Sequence, residues 1–185
     1  MLKRFGLTAV LALAFYGQSS WARPTYNYFG LGYARQHIDA DDSCLQDGVT
    51  VEGSLTANEH VFYGFRHVDV TSDDWCGATT FRLNGGFKGD VARNSSLYAK
   101  ASIIAHDTPV EFDMGVGLET GLRALIQSDL ETRLFLGYEI IDDFDETYVG
   151  AGLNYFFARR WSLIADFAVT TEDRTEIVLG VRFNL

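Results

Sequence analysis

Long apolar runs are missing from the sequence after its first 22 residues. No later stretch approaches the roughly 18 apolar residues that a helical membrane span needs, so any membrane crossing must be made by strands. Basic residues are fewer than acidic ones, and the formal net charge is -10. Removal of an amino-terminal segment that contains Lys3 and Arg4 would change it to -12. Contact with phosphates needs a basic face, so the acidic balance excludes nucleic acid as a partner.

Cysteines are scarce, and neither of the two has a metal-ligand spacing such as C-x-x-C. Cys44 and Cys76 are predicted to form one disulfide, because an exported chain enters an oxidising compartment. In the chain-entropy model, closing a loop of about 33 residues stabilises the fold by roughly 3–4 kcal/mol. Two free buried thiols are the alternative.

The amino terminus predicts export. Lys3 and Arg4 form a positive n-region, Phe5–Phe15 is a short apolar run, and Ser20-Trp21-Ala22 offers small residues for cleavage. This is the pattern of a secretory signal peptide, and its apolar run is too short to span a membrane. We therefore predict a signal peptide over residues 1–22 and one mature domain over residues 23–185.

The last stretch, Thr175–Leu185, shows a pattern that recurs along the mature chain. Its apolar residues fall at alternate positions, and they are Ile177, Leu179, Val181, Phe183 and Leu185. Successive strand residues point to opposite sides, so one face of this strand is apolar and the other is polar or small. Strands that carry charges of both signs on the polar face are typical of a transmembrane β-barrel, apolar outside and polar inside.

About ten such strands follow one another, each roughly 9–12 residues long, which is the length that a tilted strand needs to cross a bilayer. The predicted fold is all-β, an antiparallel up-and-down transmembrane β-barrel of about ten strands. Eight strands remain if the hairpin that contains Val49–Leu55 lies above the membrane. A soluble lipocalin-like barrel with the apolar face inside is a further alternative, because alternation alone is symmetric under inversion.

The predicted inward faces carry acids and bases in equal number. The acids are Glu52, Asp113, Glu119, Glu131, Glu139, Asp166 and Glu176, and the bases are Arg66, Arg82, Lys88, Lys100, Arg123, Arg133 and Arg182. A barrel of about eight to ten strands encloses only side chains or a thin file of water. Because unpaired charge in such a lumen is costly, this balance predicts ion pairs that fill it.

The connections and the aromatic residues predict an orientation. Connections after odd-numbered strands are expected to be long and acidic and to contain both cysteines, as at the outer surface of bacterial barrels, with both termini in the periplasm. Aromatic residues near the opposite strand ends predict a belt at the periplasmic membrane interface. Its members are Tyr26, Tyr28, Phe62, Tyr63, Phe87, Tyr98, Tyr155, Phe157, Trp161 and Phe183.

Two groups of residues could form a reactive site. His37, His67 and His106 each have an acid nearby, and a His–carboxylate pair can activate water or a hydroxyl as a general base. The acidic loops could bind divalent cations, but they match no defined metal loop, and solvated surface charge is the preferred interpretation. The loop acids are Asp39, Asp41, Asp42, Asp47, Asp73, Asp74, Asp142, Asp143, Asp145 and Glu146.

Several segments resemble the small, quorum-signal-regulated Ax-type outer-membrane proteins of xanthomonad bacteria. They are Tyr26–Arg35, His60–His67, Phe81–Phe87, Gly115–Ala124, Leu136–Asp143, Tyr148–Trp161 and Leu179–Leu185. The chain departs from that family in having Cys44 and Cys76 and in ending on Leu185 instead of an aromatic residue. The resemblance implies an outer-membrane barrel without established enzymatic activity, and it supplies no catalytic residues.

The sequence therefore predicts a non-enzymatic barrel of the bacterial outer membrane with a structural or surface-interaction role and no cofactor. A narrow channel for ions or small solutes is the alternative, and a surface hydrolase ranks below it. The expected partners are outer-membrane lipid, lipopolysaccharide and the barrel assembly machinery, together with an external partner that the sequence does not identify.

Overall fold

The alternating stretches form ten antiparallel strands. The computed structural model describes residues 24–39, 44–72, 76–142 and 144–185, so the predicted signal peptide lies outside the described residues. The strands are β1 (Tyr28–Ile38), β2 (Cys44–Thr56), β3 (Val61–Thr71), β4 (Ala78–Ala92), β5 (Ser95–Asp107), β6 (Phe112–Gln127), β7 (Leu130–Ile141), β8 (Phe144–Phe156), β9 (Trp161–Thr170) and β10 (Arg174–Asn184). No helix in the described ranges is long and apolar enough to cross a membrane.

Each strand pairs with its neighbours in sequence, and β1 pairs with β10 to close the barrel. The closing register sets Leu31 opposite Val181 and Gly30 opposite Arg182, so the two strands share one apolar face and one polar face. The predicted up-and-down topology with ten strands is confirmed. The eight-stranded alternative is wrong, because the hairpin of β2 and β3 forms part of the closed wall.

The apolar face points outward around the whole wall. Four widely separated aliphatic side chains are 37–64% exposed, and they are Leu118, Leu136, Leu163 and Val181. The side chains of Glu119 and Arg182, on the opposite faces of the same strands, are buried. A water-soluble barrel would have the reverse arrangement, so the lipocalin-like alternative is wrong and the barrel has the polarity of a transmembrane one.

The connections differ from the prediction of long acidic loops after odd-numbered strands. Strand β8 begins at Phe144, so only residues 142–143 join it to β7, and three residues join β9 to β10. Both connections turn tightly through an aspartate with positive φ, Asp142 at 52° and Asp173 at 53°. Strand β2 begins at Cys44, which places the predicted loop residue Asp47 inside a strand. The loop acids at positions 41–42, 73–74 and 143 lie outside the described residues.

The aromatic belt is only partly as predicted. Tyr63, Phe87, Tyr155, Phe157 and Trp161 are 46–69% exposed on the outer wall near the ends that carry the termini. Four other predicted members lie inside the barrel instead, and they are Tyr26, Tyr28, Phe62 and Tyr98. They occupy the same alternate positions as the lumen charges, so the period of the strand turns them inward.

Candidate functional site

The lumen carries most of the charge of the barrel wall. Seven ion pairs join inward-facing side chains, and they are Arg66–Glu176, Arg82–Glu139, Lys100–Glu119, Arg123–Glu131, Arg133–Asp166, Arg174–Glu146 and Arg182–Glu52. Seven acids thus meet seven bases. Charges enclosed by a protein wall are costly unless they are paired, so this balance lets the polar faces of ten strands share one narrow interior.

Most of the pairs bridge strands that are not neighbours. Arg82 on β4 reaches Glu139 on β7 with Nη2–Oε2 and Nε–Oε1 distances of 2.8 and 3.0 Å, a two-pronged contact across two intervening strands. Arg66 on β3 reaches Glu176 on β10, also across two strands. Such contacts cross the interior instead of running along the wall. The lumen is therefore obstructed by its own side chains.

Hydroxyl and amide groups extend the charge network. Glu119 accepts hydrogen bonds from Tyr98 at 2.6 Å and from Tyr148 at 3.1 Å, in addition to its ion pair with Lys100. The amide of Gln36 donates to Glu176 at 2.7 Å. Buried carboxylates with several donors are well satisfied, and such networks hold side chains in one arrangement.

An aromatic cluster fills the end of the lumen that carries the termini. The ring of Tyr26 lies 4.9 Å from that of Phe62 and 6.3 Å from that of Tyr98, measured between centroids. The hydroxyl of Tyr26 shares a 3.0 Å hydrogen bond with Ser96 on the far side of the barrel. Tyr26 precedes β1, so the first described residues of the chain cover this mouth.

The cluster is also a cation-binding surface. The guanidinium of Arg123 lies 4.4 Å from the centroid of the Tyr26 ring, and the ammonium of Lys88 lies 4.8 Å from it. Contacts of this length let the aromatic face stabilise the positive charges. Towards the other end, one side of the lumen is apolar and is lined by Ala34, Val68, Val70 and Val178.

Little empty space remains between these layers. A cavity of about 100 Å³ is lined by the ion pairs and by tyrosines of the aromatic cluster. A polar cavity of this volume has room for ordered waters among the ion pairs. Ion pairs that cross the interior in this way are suited to bracing the wall.

The structure brings most of the predicted lumen residues together. Twelve of the fourteen belong to the seven ion pairs. Lys88 contacts the Tyr26 ring instead, and Asp113 lies opposite His106 in the register of β5 and β6. The sequence analysis does not predict the pair of Arg174 with Glu146, because it places Glu146 in an acidic loop and begins the last strand at Thr175. Their even spacing from Glu176 and Tyr148 is the signal that places them on the inner faces.

The three histidines do not form one site. His106 faces the lumen and shares a 2.9 Å hydrogen bond with Thr80, whereas His37 and His67 occupy outward positions on β1 and β3. His37 lies 3.3 Å from Asp39, but no third group from the described ranges converges on that pair. Within those ranges, no cluster of three or more His, Cys, Asp or Glu residues could hold a metal ion.

Cys44 and Cys76 form a disulfide with a Cα–Cα distance of 6.5 Å. Cys44 begins β2, and Cys76 lies just before β4, so the bond spans the end of β3. Both residues are buried. The bond ties the first residue of β2 to the connection between β3 and β4, at the rim opposite the termini.

The fold is similar to those of solved bacterial outer-membrane barrels. The NanC porin superposes with a TM-score of 0.55 at 10% identity, over 84% of this chain and all of the porin. A KdgM porin in complex with disordered oligogalacturonate gives a TM-score of 0.52 at 12% identity, over 84% of this chain and 99% of that chain. An outer-membrane channel from Pseudomonas putida F1 gives 0.53 at 10% identity, over 91% and 98%.

No protein-family model matches the chain, and the search of curated proteins found no match. At about 10% identity, the structural similarities show a shared fold and nothing finer. The chain therefore has the fold of a bacterial outer-membrane β-barrel, and its exposed apolar wall is suited to the hydrocarbon of that membrane.

Proposed function

We propose that this protein is a non-enzymatic barrel of the bacterial outer membrane that does not conduct and has a structural or surface-interaction role. The observation that carries the proposal is the lumen, where seven ion pairs and an aromatic cluster leave a cavity of about 100 Å³. Such a barrel contributes a rigid wall to the membrane and short connections to the cell surface. Its partners are outer-membrane lipid, lipopolysaccharide and, during insertion, the barrel assembly machinery.

Recording from planar bilayers tests this proposal. The wild-type barrel is expected to give no conductance steps, whereas the double variant Arg82→Ala/Glu139→Ala, which lacks a pair that crosses the lumen, is expected to conduct. An open porin inserted under the same conditions is the positive control. Regular steps from the wild-type protein would contradict the proposal and support the alternative below.

A narrow channel for ions or small solutes is the second candidate function. It is supported by the fold shared with the KdgM and NanC porins and by the cavity among the lumen charges. A channel requires that the ion pairs part to admit a solute. The same recordings distinguish the two functions, since a channel gives steps without any substitution in the lumen.

The orientation belongs to the proposal and has its own test. We place the termini in the periplasm and the connection of β5 to β6 outside the cell. Val110 lies in that connection and is 86% exposed, so Val110→Cys is expected to react with a membrane-impermeant maleimide on intact cells. A cysteine placed at Arg159, in the turn between β8 and β9, is the matched control and is expected to react only after the membrane is opened.

Kinship with the xanthomonad Ax-type outer-membrane proteins is also a proposal. It is supported by sequence segments such as Tyr26–Arg35 and Gly115–Ala124, which here form parts of β1 and β6. Heat-modifiable migration on a denaturing gel, after detergent extraction of the outer-membrane fraction, tests the common element of these proposals. A protein that migrates identically with and without heating would contradict a folded outer-membrane barrel.

A further inference from the structure

One basic side chain on the outer wall stands apart from all the others in the strands. Arg35 on β1 faces outward, and its side chain is 49% exposed. Every other Lys or Arg in the ten described strands faces the lumen, where it pairs with an acid or contacts the Tyr26 ring. An isolated outward cation is therefore a specific feature of this part of the wall.

Most of the outward-facing neighbours of Arg35 are apolar. Tyr33, Leu45 and Val49 are 43–52% exposed on the same face. On β6, which lies opposite β1 in the strand order, the outward position at a similar distance from the same rim is Val116, which is 58% exposed. A charge among lipid-facing apolar residues is costly unless it meets a polar partner near the membrane surface.

The protein supplies only part of that partner. Asp47 on β2 lies opposite Arg35, with a distance of 3.5 Å between Nε and the Oδ1 atom. The same Oδ1 atom accepts a 2.5 Å hydrogen bond from the hydroxyl of Tyr33. Within the described residues, the structure records no acceptor for the two terminal nitrogens of Arg35. These donors are available to a ligand outside the wall.

A second polar group continues the site towards the rim. His37 follows two positions later on the same face of β1; its side chain is 45% exposed, and its Nε2 atom lies 3.3 Å from Oδ1 of Asp39. Two residues of a strand span about 6.6 Å, so the two side chains can approach oxygens of one headgroup. Guanidinium groups bind phosphate through two parallel hydrogen bonds, and imidazole adds a donor.

We propose that Arg35 and His37 bind a lipid headgroup that carries a phosphate, in the outer leaflet, with the acyl chains lying along Tyr33, Leu45 and Val49. The apolar neighbours favour an amphiphile over free phosphate, which would make no use of them. This inference rests on the proposed function for the direction in which β1 crosses the membrane. It adds to that function the class of lipid and the residues that hold it.

Lipid retention measured by native mass spectrometry tests the site. The purified barrel in a neutral detergent is mixed with dioleoyl phosphatidic acid or, separately, with dioleoylglycerol, which has the same chains without the phosphate. The wild-type protein is expected to retain phosphatidic acid and to release dioleoylglycerol. Arg35→Gln is expected to retain about tenfold less phosphatidic acid at the same lipid concentration, since charge-assisted hydrogen bonds to phosphate are lost.

Two further variants control for charge and for folding. Arg35→Lys keeps the charge and is expected to retain most of the lipid, and Arg159→Gln removes an exposed arginine from a turn at the other end and is expected to behave as wild type. Heat-modifiable migration verifies that each variant is folded. Inorganic phosphate at the lipid's concentration is expected not to compete.

Several results would overturn the site. They are equal retention by Arg35→Gln and wild type, equal retention of the two lipids by wild type, competition by inorganic phosphate, and an Arg35-dependent dimer formed without lipid. The proposed function is tested by different measurements, namely bilayer conductance and the labelling of Val110→Cys on cells, so its failure can be distinguished from failure of the lipid site. A barrel that does not conduct and is oriented as proposed, but shows no dependence on Arg35, refutes only the lipid site.

Discussion

Arg123 on β6 and Arg133 on β7 lie directly opposite each other in the register of neighbouring strands, although both are positively charged. Each turns to a different acid: Arg123 pairs with Glu131, and Arg133 reaches Asp166 on β9 at 3.1 Å. Like charges directly opposite on a sheet destabilise it. Glu131 and Asp166 therefore stabilise the wall, because each neutralises one of two arginines that the register places opposite each other.

Removal of one such acid is expected to be severe. Glu131→Gln leaves the Arg123 charge buried without its partner and facing Arg133. Breaking a buried ion pair in this way costs about 3–5 kcal/mol in the free energy of unfolding. Urea unfolding of the barrel in lipid vesicles, followed by tryptophan fluorescence, measures the loss. Glu59→Gln, in the exposed turn between β2 and β3, is the control and should leave the midpoint unchanged. Equal midpoints for the two variants would contradict this prediction.

Two substitutions of Tyr26 distinguish the contribution of packing from that of hydrogen bonding in the aromatic cluster. Tyr26→Phe keeps the ring and removes the hydrogen bond with Ser96, so it should lower the free energy of unfolding by about 1 kcal/mol. Tyr26→Ala also removes the ring between Phe62 and Tyr98 and should cost about 3–5 kcal/mol. The same unfolding assay compares the two variants. An equal loss in both would show that the ring itself contributes nothing at this mouth.

The face of the wall on which each strand residue lies could be predicted best from the sequence. The period of two put Glu119 and Arg182 on the polar face, and the structure places both inside the barrel. The period of two also places Tyr26 and Tyr98 on the inner face. The predicted belt includes them because it rests on aromatic character and on closeness to the strand ends, and not on which face each residue occupies. Aromatic character alone does not distinguish a membrane belt from an internal cluster.

The pairing of charges could not be predicted from the sequence. Arg82 and Glu139 belong to strands separated by two others, so their contact depends on the closure and tilt of the whole barrel.

The ends of the strands could not be predicted for a related reason. Glu146 lies in an acidic stretch that resembles a loop, and only its pairing opposite Glu139 in the register of β7 and β8 makes it part of the wall.

Gly150 on β8 is expected to tolerate no side chain. A β-carbon at this position would overlap the ring of Phe135 and the backbone oxygen of Phe167 on the neighbouring strands. Because a backbone oxygen cannot rotate away, Gly150→Ala should lower the free energy of unfolding by about 1–3 kcal/mol. Gly85→Ala on β4 is the matched control, since no atom lies within 4 Å of its added carbon. A loss of stability in Gly85→Ala equal to that in Gly150→Ala would refute the steric explanation.

The disulfide is expected to stabilise the barrel through its unfolded chain. Cys44 and Cys76 are 32 residues apart in sequence, and closing a loop of that length contributes about 3–4 kcal/mol by restricting the unfolded ensemble. Reduction should therefore lower the urea midpoint of the wild-type protein to that of Cys44→Ser/Cys76→Ser. The double variant should not respond to reductant, because the sequence contains no other cysteine. Because backbone pairing also joins β2 to β3 and β3 to β4, heat-modifiable migration is expected to persist in the variant. Its loss would show that the bond is needed to form the wall itself.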